Sequence, residues 1–493
     1  MSLRHVLHVV GLLLVFVGLS MLVPLAVSLG FRDGDALAFL MSMLLTVGAG
    51  LAMNRTTSLE GELTSREGYA IVTFAWAATA LFGSLPYLFT GTAPTFAAGF
   101  FESMSGFTTT GATVFTDIEA LPHGILFWRS FTHWLGGMGI IVLAIAVLPY
   151  LGIGGMQLFR AEVPGPTPER LRPRITQTAK LLWLVYAGLT VAQTTLYLLG
   201  GMGGFDAITH TFSTLATGGF STKNASMAAF PSPYLQWVTI AFMYLAGVNF
   251  ALHFRAVTGR FDYFRDVEWR FFTAVVLGFG VLIGGINLLA GGAPAAGGLE
   301  PTLRDGIFQA VSIATTTGFV SADYALWVPG SQMLIFTLIF MGGMAGSTGG
   351  GIKAVRNLLM MKHTWMELRK HLHPRAVFVS RMGRHVVREE ILANVVGFVM
   401  LYLLLSLAGA VAMGMLGMDV LTALSASLVS VGNIGPGFGN VGPTDNYGWM
   451  NGGQLSILSF LMLVGRLEIF TVLLLFLPET WRRRRPRQVN RGD

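Results

Sequence analysis

The stretch Thr108-Thr109-Thr110-Gly111-Ala112-Thr113 returns three times in looser form: Ala216-Thr217-Gly218-Gly219-Phe220, Thr315-Thr316-Thr317-Gly318-Phe319 and Asn433-Ile434-Gly435-Pro436-Gly437. Each copy closes a short apolar or hydroxyl-rich segment too brief to cross a bilayer, and each lies between two segments long enough to do so. Aligned on Gly111, Gly218, Gly318 and Gly435, the chain reads as four tandem units of helix, re-entrant loop and helix. Four such loops entering from one side predict a pore on a common axis.

The rest of the chain agrees with this reading. It is 53% hydrophobic and 12% charged, where soluble domains carry about 25% charged residues. Its repeated apolar stretches of about 20 residues mark a polytopic helical membrane protein, and the short alternating segments of an outer-membrane barrel are missing. The chain has no cysteine, which excludes disulfides and thiolate metal sites. The first apolar segment, residues 6–30, lacks a small-residue cleavage site and reads as a retained span. No nucleophile elbow or phosphate-binding loop supports an enzyme.

The predicted fold is an all-α integral membrane protein of four tandem helix–pore loop–helix units around a central pore. Residues 1–54 form a two-helix N-terminal hairpin, followed by pore units at 55–155, 156–257, 258–362 and 363–480 and a basic tail at 481–493. The second spans of the units fall at 124–150, 234–254, 333–361 and 455–477. With the termini and the connections between units on one side, the other keeps only Arg32, Arg129, Lys223 and Arg304 of the 32 Lys and Arg, and Arg466 alone lies deep in a span. Positive-inside bias then puts both termini in the cytoplasm and the loop mouths outside. The net charge of +7 is thus a topology signal rather than a sign of nucleic acid, and the arginine run 482–485 reads as an anchor to anionic lipid.

Non-helical backbone at membrane depth survives only where it is buried in protein or lines water. Glycine at the turn allows positive φ, and a ring of backbone carbonyls can replace the hydration shell of a monovalent cation. The metal-ion ligand set expected from the four loops is Thr109, Thr110 and Gly111; Ala216, Thr217 and Gly218; Thr316, Thr317 and Gly318; and Asn433, Ile434 and Gly435. Threonine hydroxyls just before the glycine either add oxygens to the ring or brace the loop.

Glycine clusters also recur in the second helices: Gly136-Gly137-Met138-Gly139, Gly247, Gly342-Gly343-Met344-Ala345-Gly346 and Gly465. The third continues through Ser347, Thr348, Gly349, Gly350 and Gly351 to Lys353, and so many glycines in mid-span predict a broken helix. Below a filter, such a break forms either a flexible constriction or a tightly packed kink. Arg466 either projects its charge into the path, pairs with Glu468 or caps carbonyls of the glycine loop. Glu102, Asp206 and Asp305 lie near the starts of the pore helices, where they attract cations or stabilise helix N-termini. His133, His210 and His253 show no metal-ligand spacing.

With these motifs in place (Phe107 through Thr113, Trp134-Leu135-Gly136-Gly137-Met138-Gly139-Ile140-Ile141, residues 342–353 and Gly465-Arg466-Leu467-Glu468), the chain resembles the Trk/Ktr/HKT superfamily of potassium transporters. The two extra N-terminal spans make it most similar to the membrane subunits of bacterial Trk uptake systems, and the resemblance covers residues 3–482. It implies K+ as the transported ion, with Gly111, Gly218, Gly318 and Gly435 as filter glycines, and no organic cofactor on this chain. Gly346, Ser347, Thr348, Gly349, Gly350, Gly351 and Lys353 would form the gating loop, with Arg466 facing the pore. Also implied are a homodimer in the bacterial inner membrane and a cytosolic TrkA-like regulator that binds NAD(H) or adenine nucleotides. The fourth loop departs from the threonine pattern at Asn433, Ile434 and Pro436. A secondary carrier coupled to protons or sodium is the alternative, weakened by the shortage of mid-span carboxylates and by units that repeat in parallel where many carriers invert them.

Overall fold

The computed structural model describes residues 2–58, 64–146, 175–291, 297–376, 378–383 and 385–481. The basic tail 482–493, most of the 160–180 connection and the end of the first unit's second span lie outside the described residues. Apart from a two-residue strand pair, Arg381–Met382 with His385–Val386, the regular structure among the described residues is helical.

The N-terminal hairpin pairs Leu3–Ser20, continued by Leu22–Phe31, with Ala36–Arg55. Lipid tails are as apolar as leucine, so close backbone packing rather than water exclusion holds helices together in a membrane. Gly11 and Gly50 meet at this seam: a Cβ on Gly11 would lie 2.8 Å from the Gly50 carbonyl oxygen, and one on Gly50 2.6 Å from that of Gly11.

The four units follow in order. Their outer helices are Ser65–Gly83, Ile175–Leu199, Val267–Ala290 and Glu389–Met415. Their pore helices are Phe96–Phe107, Gly204–Leu215, Leu299–Ala314 and Val420–Gly432, hereafter pore helices 1 to 4. Capping signals start several of these helices where the sequence places them. Asp266 accepts from Trp269 N at 2.8 Å and Asp419 from Thr422 N at 3.0 Å, and Asn451 and Gln454 make a reciprocal capping box. Pore helix 3 begins at Leu299, so Arg304 and Asp305 fall inside it rather than at its start.

The inner helices depart most from continuous spans. Only the first, His123–Ala146, is unbroken over its described length. In the second unit Pro233–Gly247 and Phe250–Val257 meet at 104°, and in the fourth Gly452–Arg466 and Phe470–Phe476 meet at 110°. The third helix stops at Leu338 and resumes only at Ala354. The segment 333–361 is therefore two helices and a loop, broken where its run of glycines predicts. Six helices among the described residues are long and apolar enough to cross a membrane, or eight if each bent pair counts as one span.

Burial sorts these elements. The pore helices form the core, with Phe101, Leu215, Phe308 and Ala426 fully buried. The outer helices show Leu184, Val191, Leu289 and Leu404 on the surface, as lipid-facing helices do.

Candidate functional site

All four pore helices end in the same backbone motif. In the first, the N–H groups of Thr109 and Thr110 reach back to the carbonyls of Gly106 and Ser105; Thr217 and Gly218, Thr316 and Thr317, and Asn433 and Ile434 repeat the pair. The first residue of each pair is left-handed: Thr109 at φ +52°, Thr217 at +55°, Thr316 at +60° and Asn433 at +54°. Two residues on, a glycine again takes positive φ: Gly111 at +81°, Gly219 at +82°, Gly318 at +79° and Gly435 at +93°.

This corrects the register of the second loop by one residue. Gly219, not Gly218, shares the backbone of Gly111, and Gly218 stands where Thr110, Thr317 and Ile434 stand. Two signals in the sequence favour the shifted register: Gly219-Phe220 repeats Gly318-Phe319, and Ser213 then falls at the offset of Ser105 and Ser312.

The four glycines mark a closed ring. A Cβ on Gly111 would lie 2.0 Å from the Gly218 oxygen, one on Gly219 2.2 Å from that of Thr317, one on Gly318 2.1 Å from that of Ile434, and one on Gly435 2.6 Å from that of Thr110. Each unit therefore presses a glycine against the carbonyl of the next, and the fourth closes on the first. No side chain fits at these contacts. Above the ring, Gly111, Gly219, Gly318 and Gly435 line one cavity of about 690 Å³ including its open mouth, together with Thr113, Ser221, Val320 and Tyr447.

Of the two roles open to the threonine hydroxyls, bracing is the one their contacts fit. Thr108 and Thr110 share a hydroxyl hydrogen bond of 2.8 Å, as Thr315 and Thr317 do at 2.7 Å. Asn433 Nδ2 crosses to Thr110 Oγ1 at 3.0 Å, tying the fourth loop to the first. The histidines are also structural: His210 Nε2 bonds Ser221 Oγ at 2.8 Å, and His133 stacks on Phe220 with ring centres 4.1 Å apart.

Beneath the ring lies the glycine loop of the third unit. Gly350 N donates to Thr316 Oγ1 at 2.6 Å, and Thr348 Oγ1 donates to the Leu215 carbonyl at 2.9 Å. A Cβ on Gly350 would come 2.6 Å from the Gly432 oxygen. The loop thus touches the ends of pore helices 2, 3 and 4. Arg466, buried, donates from Nη1 to the Thr348 carbonyl at 2.8 Å, and Lys353 Nζ donates to that of Gly349. Arg466 caps the loop and is not paired with Glu468, whose carboxylate instead holds Arg356.

Sequence reasoning missed two groups here. Glu268, buried in the first turn of the third outer helix, accepts from Ala345 N at 2.9 Å and Val355 N at 3.1 Å, holding both flanks of the glycine loop with one oxygen. Arg129, counted above among the outer charges, is buried behind the first two loops and pairs with Glu102 at 2.8 Å. Arg466 is therefore not alone as a buried cation. Glu102 sits in the middle of pore helix 1 rather than at its start. Asp206 lies in the first turn of pore helix 2, whereas Asp305, like Glu102, is the seventh residue of its helix; the two aspartates accept from Thr222 and Ser321 at 2.6 and 2.8 Å.

Four pore-loop units closing a ring above a broken inner helix define a helical membrane transport protein. A family model matches residues 36–483, and the chain belongs to that family, TrkH, the cation transport proteins. A Trk system potassium uptake protein TrkH from Halomonas elongata is 43% identical, over 98% of this chain and 100% of its own. The Escherichia coli K12 protein of that name is 42% identical with the same coverage, and Escherichia coli TrkG is 34% identical over 97% of this chain and 99% of its own. The crystal structure of the potassium transporter TrkH from Vibrio parahaemolyticus superposes with a TM-score of 0.89 at 38% identity, covering 98% of this chain and 100% of that one.

Proposed function

We propose that this chain conducts potassium into the cell along its electrochemical gradient, through a filter made by the backbone carbonyls of the four loops. The observation that carries this reading is the closed ring in which Gly111, Gly219, Gly318 and Gly435 each abut the carbonyl of the neighbouring loop. Rings of neutral carbonyl dipoles replace the hydration of a monovalent cation without binding it too tightly to leave. The names of the relatives as potassium uptake proteins support the choice of ion. The twelve loop residues supply the ligand layer, with Gly219 joining Gly218.

The glycine loop acts as the gate. It lies under the filter, is hydrogen-bonded to Thr316 and Leu215, and brings Arg466 beneath the path. A charge at that depth raises the barrier to a cation, so opening moves the loop and the guanidinium together. Control by a cytosolic TrkA-like nucleotide-binding subunit, assembly as a homodimer, and an inner-membrane location with cytoplasmic termini belong to the same proposal, supported by the family resemblance and the positive-inside charge pattern. A coupled carrier finds less support, since the buried carboxylates Glu102 and Glu268 and the half-exposed Glu468 are each bound by an arginine or by backbone N–H groups.

Flux into proteoliposomes holding only the purified chain, compared for potassium, rubidium, sodium and choline under an imposed potential, tests this. Potassium and rubidium uptake well above sodium, with no proton gradient, is the expected result. Flux that requires a proton or sodium gradient would replace the channel-like reading with the carrier.

A further inference from the structure

We infer that the buried Arg129–Glu102 ion pair sets the ion discrimination of the pathway, by locking the first two loops to each other and to pore helix 1. The inference rests on the four-loop filter proposed above. Arg129 and Glu102 are 1% and 0% exposed. The guanidinium uses three different atoms: Nε to Glu102 Oε1 at 2.8 Å, Nη1 to the Ser221 carbonyl at 3.0 Å and Nη2 to Thr113 Oγ1 at 3.1 Å. Glu102 in turn accepts from Val114 N at 2.9 Å and from Thr113 Oγ1 at 3.0 and 3.1 Å. The guanidinium carbon lies 4.2 Å from the centre of the Phe220 ring.

Thr113 and Ser221 each stand two residues past a ring glycine, so the pair fixes the backbone just where loops one and two leave the ring. A guanidinium is planar and presents its donors in a rigid fork, which suits it to fix two strands of backbone at once. Because the pair is neutral as a unit, it stiffens the ring without adding net repulsion to a passing cation. The other corners carry weaker versions at the place of Glu102. His210 holds Ser221 Oγ at 2.8 Å, Gln309 Nε2 donates to the Ala322 carbonyl at 3.2 Å, and the fourth unit has the apolar Ala426. Ionic bracing at this position is therefore confined to the contact between loops one and two, among the described residues.

The double variant Arg129→Gln with Glu102→Gln leaves no unpaired buried charge, and Thr113→Val removes only the bridging hydroxyl, in case the double variant fails to assemble. Potassium and sodium fluxes are measured separately in proteoliposomes, with Gly318→Ser as a control on the filter itself. The expected result is a potassium-to-sodium ratio lowered about tenfold in the double variant, the scale of one lost charge-assisted hydrogen bond, and lowered in the same direction in Thr113→Val, with total flux retained. A merely structural role would reduce both fluxes and leave their ratio intact. If Gly318→Ser shifts the ratio and the Arg129–Glu102 and Thr113 variants do not, this inference falls and the filter stands. A ratio unchanged in Gly318→Ser as well would overturn both.

Discussion

Thr109, Thr217 and Thr316 hold left-handed backbone although they are β-branched, and Asn433 completes the set. Left-handed conformation costs a non-glycine residue roughly 1–2 kcal/mol, and such strain collects where function over-determines the backbone. The four sites are not equivalent. Thr109 Oγ1 has no hydrogen-bond partner among the described residues, whereas Thr316 Oγ1 accepts the amide of Gly350. Thr109→Gly should therefore keep or raise thermal stability, by up to about 1 kcal/mol, while Thr316→Gly should lower the melting temperature and loosen the glycine loop. Equal melting shifts for the two would contradict the assigned contacts. The spacing of the loop glycines matches the backbone register at Gly111, Gly318 and Gly435 but not at Gly218-Gly219. Two adjacent glycines leave the register open, and only the neighbour's carbonyl, a contact between units, decides it. The Arg129–Glu102 pair was hidden for a related reason: its members are 27 residues apart and belong to different helices.

At the scale of elements, the glycine loop is held from three sides. Glu268 clamps its flanks, Arg466 caps its centre, and Thr316 and Leu215 tie it to the filter and pore helices. Glu268→Ala should release both flanks and raise basal flux in the absence of any partner, and Arg466→Ala should raise it by lowering the barrier beneath the ring. Basal flux through the purified variants measures both effects; wild-type values in folded protein would leave these residues only a packing role. The break in the third inner helix was legible from its run of glycines. The breaks in the second and fourth were not, because Gly247 and Gly465 stand alone and the turns fall just past them, at Val248-Asn249 and Leu467-Glu468-Ile469. Gly465 serves close packing instead. A Cβ there would lie 1.9 Å from the Val431 oxygen, so the bare glycine lets pore helix 4 approach.

For the whole molecule, the four-unit plan and the N-terminal hairpin could be read from apolar segment lengths and the repeated loops, because both are set by bilayer thickness. Orientation rests on the distribution of Lys and Arg. With no native cysteine, single introduced thiols can test it cleanly. Ala225→Cys, on the exposed segment after the second loop, should react with a membrane-impermeant thiol reagent in intact cells. Arg260→Cys, exposed between the second and third units, should react only after permeabilisation. Reversed labelling would invert the topology. The most direct test of the four-loop filter is the relative permeability to potassium and sodium of the wild-type chain and Gly318→Ser. A side chain there would meet the Ile434 carbonyl within 2.1 Å, so discrimination should fall markedly in the variant. An unchanged ratio in a folded, conducting Gly318→Ser protein would contradict the carbonyl ring as the seat of selectivity.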